Sequence, residues 1–148
     1  MNSHPYLRAF LAGVFVPTII LPGMLVLFLV LRYACQPCFP VERGLVFPLA
    51  LVPAIWGLWN VLWKWSHPST HLSVGAHGAI LPLLLLPAGT LIATSAGILN
   101  LGSNGVTWFQ ALHVPYVWIA VLFAAALAAY YLVWKYVVGF VNRTLGIA

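Results

Sequence analysis

Four apolar runs occupy most of this chain, at about residues 6–31, 44–63, 79–98 and 115–138. Each is near or above the ~20 residues that a helix needs to cross roughly 30 Å of hydrocarbon. That feature removes most folds from consideration. Soluble domains carry roughly 25% charged residues, whereas this chain of 148 residues is 64% hydrophobic and 5% charged. Its one acid is Glu42. Such an inventory cannot clothe a soluble surface, so the sequence predicts an integral membrane protein. The expected fold is all-α and polytopic: a single transmembrane domain, residues 1–148, with four helices in an up-down bundle joined by short loops. The first run is too long for the apolar segment of about 7–15 residues in a secretory signal.

The net charge of +5 does not indicate nucleic-acid binding. The six Lys and Arg form no patch and sit near the ends of apolar runs, where they serve as interface anchors and topology signals. With four spans, Arg8, Lys64, Lys135 and Arg143 share one side, and Arg32 and Arg43 the other. The excess places both termini in the cytoplasm, and a bacterial inner membrane is the expected location. Trp63, Trp65, Trp134 and Tyr136 flank Lys64 and Lys135, as an interfacial aromatic belt would.

Three of the four runs contain the pattern Gly-x3-Pro-x4-Pro: Gly13–Pro17–Pro22, Gly44–Pro48–Pro53 and Gly78–Pro82–Pro87. A helical proline lacks an N–H, and its ring collides with the carbonyl four residues back. In each repeat the residue four before the first proline is the glycine, which gives the backbone room to shift. Three Gly/Pro-kinked helices are therefore expected, bending at similar depth, with Thr18 and Thr90 available to serve freed carbonyls. Gly89, Ala93 and Gly97 recur every four residues, as do Ala120, Ala124 and Ala128. Small residues let helix backbones approach, so the third and fourth helices are expected to pack along these faces. Trp56, Trp59 and Trp63 form an aromatic stripe on the second span. Asn60 beside them is a candidate for a hydrogen bond across helices.

The segment CQPCFPVERG, residues 35–44, is the best candidate for chemistry. A helical turn would bring the Cys35 and Cys38 sulfurs together. A helix N-terminus and nearby Arg32 and Arg43 would favour the thiolate that disulfide exchange requires. The segment resembles the bacterial quinone-linked disulfide-bond oxidases, which have four spans and a periplasmic CxxC between spans one and two, followed shortly by Glu-Arg. The likeness covers about ten residues, Cys35, Cys38, Glu42 and Arg43 among them, plus the gross topology. It implies a redox pair at Cys35 and Cys38 with Arg43 near a quinone. The Glu-Arg pair is displaced by one residue relative to that family. The family's second cysteine pair has no counterpart in the loop at about residues 99–114.

His67, His71 and His77 fall together in the second loop, where three imidazoles could hold Zn²⁺ or Cu²⁺; polar interfacial residues are the simpler reading, and no metal is expected. The 99–114 loop has glycine and asparagine turn signals, and its TWFQAL stretch suggests a short interfacial helix. The Asn142–Thr144 triplet matches a glycosylation sequon on the side expected to be cytoplasmic, where it would be silent. The span interiors offer no ionisable group for an ion path. The leading expectation is a small non-catalytic membrane protein, an accessory subunit or a self-associating bundle, without a cofactor. Its expected partners are the lipid bilayer and other membrane subunits or itself, with no nucleic acid. The alternatives are a thiol–disulfide oxidoreductase using Cys35 and Cys38, with a quinone, and a carrier for an apolar or neutral solute.

Overall fold

The computed structural model describes residues 4–35, 42 and 46–147. Helix α1 runs Pro5–Val30 and continues into a π-helical turn, Leu31–Cys35. Helix α2 is Phe47–Thr70 and α3 is Val74–Ser95. Three short strands follow: β1 (Leu99–Leu101), β2 (Gly105–Trp108) and β3 (Leu112–Pro115). Helix α4 (Tyr116–Val133) passes through a second π turn, Trp134–Val138, into α5 (Gly139–Thr144). Three of these helical segments are long and apolar enough to cross a membrane: Pro5–Ala34, Val74–Ser95 and Tyr116–Thr144. Helix α2 has the length but is less apolar, because Asn60, Lys64 and His67 fall within it.

Local chemistry sets the helix ends. Pro5 and Pro48 occupy first turns, where a missing N–H costs nothing. At the end of α2, His71 adopts a left-handed conformation (φ 51°) and its N–H bonds to the His67 carbonyl. Two residues later the Ser73 hydroxyl caps α3 by accepting from the Ala76 N–H. Only three residues separate the two helices, so they pack antiparallel. The expected boundaries therefore shift: α2 extends to Thr70 and α3 begins at Val74, which moves His67 and His77 out of the loop and into helices.

Within the helices burial is concentrated toward one end, while Leu99, Gly105 and Val106 of the sheet are buried separately. In α1 it falls on Ala9, Ala12, Gly13, Val16 and Pro17, and in α3 on Gly75, His77, Gly78, Leu81 and Pro82. Trp56, Asn60 and Trp63 of α2 and Trp134, Val138 and Asn142 beyond α4 complete the core. All are near the chain termini and the α2–α3 turn. The remaining halves of α1 and α3, and all of α4, are at least partly exposed.

Glycine permits the contacts at this closed end. A Cβ on Gly13 would lie 2.4 Å from the Trp56 carbonyl oxygen, and one on Gly57 would lie 2.6 Å from the Phe10 ring. A Cβ on Gly78 would lie 2.0 Å from Trp134 Cγ. Thus Gly13 and Gly78, the glycines of two Gly/Pro repeats, sit where a neighbouring helix comes closest. Helices α1 and α3 run unbroken through Pro17, Pro22, Pro82 and Pro87, whereas Pro48 merely begins α2 and Gly44 lies outside the described residues. The threonines serve other carbonyls than those the prolines free: Thr18 donates to the Val14 carbonyl and Thr90 to that of Leu86, ordinary back-bonds within a helix. The small residues expected between α3 and α4 are also placed otherwise. Gly89, Gly97, Ala120, Ala124 and Ala128 are exposed, and the two helices meet instead through Gly75 and Gly78 against Tyr131, Trp134 and Lys135.

The all-α expectation is corrected by the segment between α3 and α4. It forms an antiparallel sheet in the order β1-β2-β3, with Leu101 opposite Val106 and Trp108 opposite both Leu99 and Leu112. The TWFQAL stretch is not a helix: Thr107 and Trp108 end β2, Phe109 and Gln110 turn with φ of 50° and 58°, and Leu112 opens β3. Positive φ at both central residues is the conformation of a type I′ hairpin turn.

Two substitutions test the glycine contacts. Gly78→Ala should destabilise the protein by about 1–3 kcal/mol through overpacking against Trp134. At Gly89 a Cβ meets open space, so Gly89→Ala should be neutral or gain up to ~1 kcal/mol in helix propensity. Unfolding by SDS titration of mixed micelles, followed by circular dichroism, reads both. Equal effects would contradict the packing.

Candidate functional site

The described part of the CxxC region is small. Arg32, in the π turn ending α1, pairs with Glu42 at 3.2 Å. Cys35 closes that turn, while Cys38 and Arg43 lie outside the described residues. No arrangement of the two thiols with Arg43 is therefore assigned.

The polar groups that the structure does bring together lie at the closed end. Asn60 and Asn142 are fully buried and pair side chain to side chain. Asn60 Nδ2 donates to Asn142 Oδ1 at 2.8 Å, and Asn142 Nδ2 donates back to Asn60 Oδ1 at 3.1 Å. The second proton on Asn60 Nδ2 goes to the Ala9 carbonyl at 2.8 Å. One amide thus ties α2 to both α1 and α5. A π turn precedes the last helix. Its hydrogen bonds skip to the fifth residue and widen the turn, and within it Trp134 and Val138, four apart, are both fully buried.

A second reciprocal pair joins α2 to α3. The Trp59 indole donates to the His77 carbonyl at 2.9 Å, and His77 Nε2 donates to the Trp59 carbonyl at 3.1 Å, so that nitrogen carries the proton. The two rings stack with centroids 4.6 Å apart. Nearby, Trp63 donates to the Leu72 carbonyl at 3.1 Å, and the Lys64 ammonium donates to the Ile147 carbonyl, which fastens the C-terminal segment. The three histidines separate: His77 is buried, while His67 and His71 are exposed, and no metal-holding group of His, Cys, Asp and Glu occurs among the described residues.

Above these contacts lies an aromatic layer. Trp56 packs on Tyr130 and Trp134, with ring centroids 5.1 and 5.3 Å away. The Trp56 and Trp134 indole N–H groups are buried and have no hydrogen-bond partner among the described residues. A buried donor without an acceptor costs about 1–3 kcal/mol. Trp56 forms the floor of an apolar cleft of about 290 Å³ between α1, α2 and α4, whose walls include Val16, Ile20, Met24, Val52 and Val133. No charged side chain lines it. The arrangement suits holding apolar matter, and Tyr130 is its one lining side chain with a hydroxyl.

Asn142 is the residue that sequence reasoning missed. It was legible only as part of a sequon, because its helix continues beyond the fourth apolar run. Asn60 was singled out, and its bond across helices is observed. Comparison with protein-family models, curated proteins and solved structures finds no match to this chain.

The amide pair predicts a specific energetic pattern. Asn60→Ala and Asn142→Ala should each cost about 1–3 kcal/mol, because each strands a buried amide. The double variant should cost clearly less than the sum. A double-mutant cycle by SDS unfolding measures this, and strict additivity would show that the two amides do not interact.

Proposed function

We propose that this chain is a non-catalytic integral membrane protein acting as an accessory subunit or a self-associating bundle. One observation carries the reading: the buried side-chain amides and the His77 imidazole are spent on joining helices to one another. They leave little for catalysis or ion passage. The outer halves of α3 and α4 support it further. There Gly89, Ala120 and Ala124 remain exposed, and small residues allow another helix to approach closely in a membrane.

In this reading α2 crosses beside α1 as a fourth span. The Gly57–Phe10 and Asn60–Ala9 contacts support antiparallel packing of the two. Arg8, Lys64, Lys135 and Arg143 then belong to the closed end and Arg32 to the other, so the positive-inside rule puts the closed end and both termini in the cytoplasm. A bacterial inner membrane fits this arrangement. The Gly/Pro repeats act as helix-shaping modules whose glycines double as contact points.

A second reading, carriage of an apolar or neutral solute, is favoured by the cleft on Trp56. The thiol-exchange reading with a quinone depends on Cys35, Cys38 and Arg43 and gains no support from the described geometry.

Native mass spectrometry of the full chain, extracted from its own membrane in mild detergent, separates these readings. The accessory or self-associating role predicts a fixed stoichiometry with another membrane subunit or with further copies. A bare monomer would contradict it. A monomer carrying an apolar adduct that is lost in Val52→Trp, which fills the cleft, would favour the carrier.

A further inference from the structure

The sheet between α3 and α4 is two-faced. Paired residues in a sheet share a face, and residues two apart along a strand do too. By the observed register, one face carries Leu99, Leu101, Val106, Trp108, Leu112 and Val114. The other carries Asn100, Thr107 and His113, with Gly105 and Pro115, and on it the Thr107 hydroxyl lies 3.3 Å from His113 Nδ1. Every residue on the first face is apolar.

That face is only partly covered. Leu99 and Val106 are buried, but Leu101 and Leu112 are 58% and 57% exposed and Trp108 is 38% exposed. Since β1 follows α3 and β3 leads directly into α4, this partly open apolar face lies beside the ends of the two helices. The sheet is also fixed in place. The Tyr116 hydroxyl, from the first turn of α4, donates to the Gly102 carbonyl at 2.8 Å, and the Tyr116 N–H reaches the Asn104 carbonyl.

The occupant of that face follows from where the sheet is tethered. It begins four residues after Ser95 and ends directly before Tyr116, at the ends of two helices long and apolar enough to cross a membrane. Between Lys64 and Lys135 the chain holds no Asp, Glu, Lys or Arg, so nothing in the sheet would recognise a charged partner or resist entry into lipid. We propose that this sheet is an in-plane membrane anchor. Its apolar face rests in the boundary between headgroups and acyl chains, and Asn100, Thr107 and His113 face water. Trp108 on the submerged face suits that depth, since its ring is amphipathic. The proposal rests on α3 and α4 crossing the membrane and is independent of the accessory role.

Spin-label accessibility in lipid nanodiscs tests it with the full chain. In a Cys35→Ser, Cys38→Ser background, single labels replace Leu101 or Leu112 on the apolar face, and Asn100 or His113 on the polar face. All four positions are exposed, so the fold should tolerate them. A label at Leu122, exposed on α4, calibrates the lipid environment. The proposal expects Leu101 and Leu112 labels to favour collision with oxygen over a water-soluble nickel chelate severalfold, and Asn100 and His113 labels to show the reverse. Equal nickel access on both faces would overturn it in favour of a sheet standing in water. Protection of the apolar face from both reagents would overturn it in favour of a protein partner or second copy. If the Leu122 label itself behaved as water-exposed, the spanning of α4 would fail, and the anchor with it.

Discussion

The buried amide pair of Asn60 and Asn142 is the constraint on which the other contacts of this structure converge. In hydrocarbon, apolar side chains gain nothing by leaving lipid for one another, so helix association depends on close packing and hydrogen bonds. A buried amide left without a partner costs about 1–3 kcal/mol, while a paired one contributes only about 0.6–2 kcal/mol between helices. The penalty outweighs the gain. The pair acts less as glue than as a demand that α2 and α5 be adjacent whenever the chain is folded. The third bond, to the Ala9 carbonyl, extends that demand to α1.

The neighbouring features can be read as answers to it. For α1 to bring the Ala9 carbonyl within 2.8 Å of Asn60, the helices must nearly touch, and Gly13 and Gly57 remove the side chains that would prevent it. For Asn142 to arrive at the same depth, the helix beyond α4 must pass Trp134 against Gly78, and a π turn sits at that crossing. The Trp59–His77 pair closes the remaining side, between α2 and α3. With these contacts gathered at one end, the other halves of α1 and α3 and all of α4 stay at least partly exposed, and an apolar cleft lies between α1, α2 and α4.

Much of this could be read from the residues, and the limits have physical causes. Helices were legible because long apolar runs have few other solutions. The role of Asn60 was legible because a polar amide among apolar neighbours must bond to something. Its partner was not, because Asn142 lies beyond the apolar run and carried a misleading sequon. The repeats were legible as patterns, but the glycines were read through the local proline clash, whereas Gly13 and Gly78 also mark contacts that only tertiary structure reveals. The sheet was hidden by its turn. Phe109 and Gln110 take positive φ without the Asn-Gly signature, and the alternation in LNL, VTW and LHV was spread over three pieces too short to stand out. From the sequence His77 reads as a loop residue because helix α3 begins before its apolar run does. For the CxxC segment, Cys38 and Arg43 lie outside the described residues.

The most direct test of the central claim is solid-state NMR of the protein in lipid bilayers with isotope-labelled asparagine. The account predicts a through-space correlation between the side-chain amides of Asn60 and Asn142, and amide protons that survive exchange into D₂O while those of Asn100 and Asn104 disappear. Loss of the correlation together with rapid exchange at Asn60 and Asn142 would mean that water reaches both amides, and that something else holds the helices together.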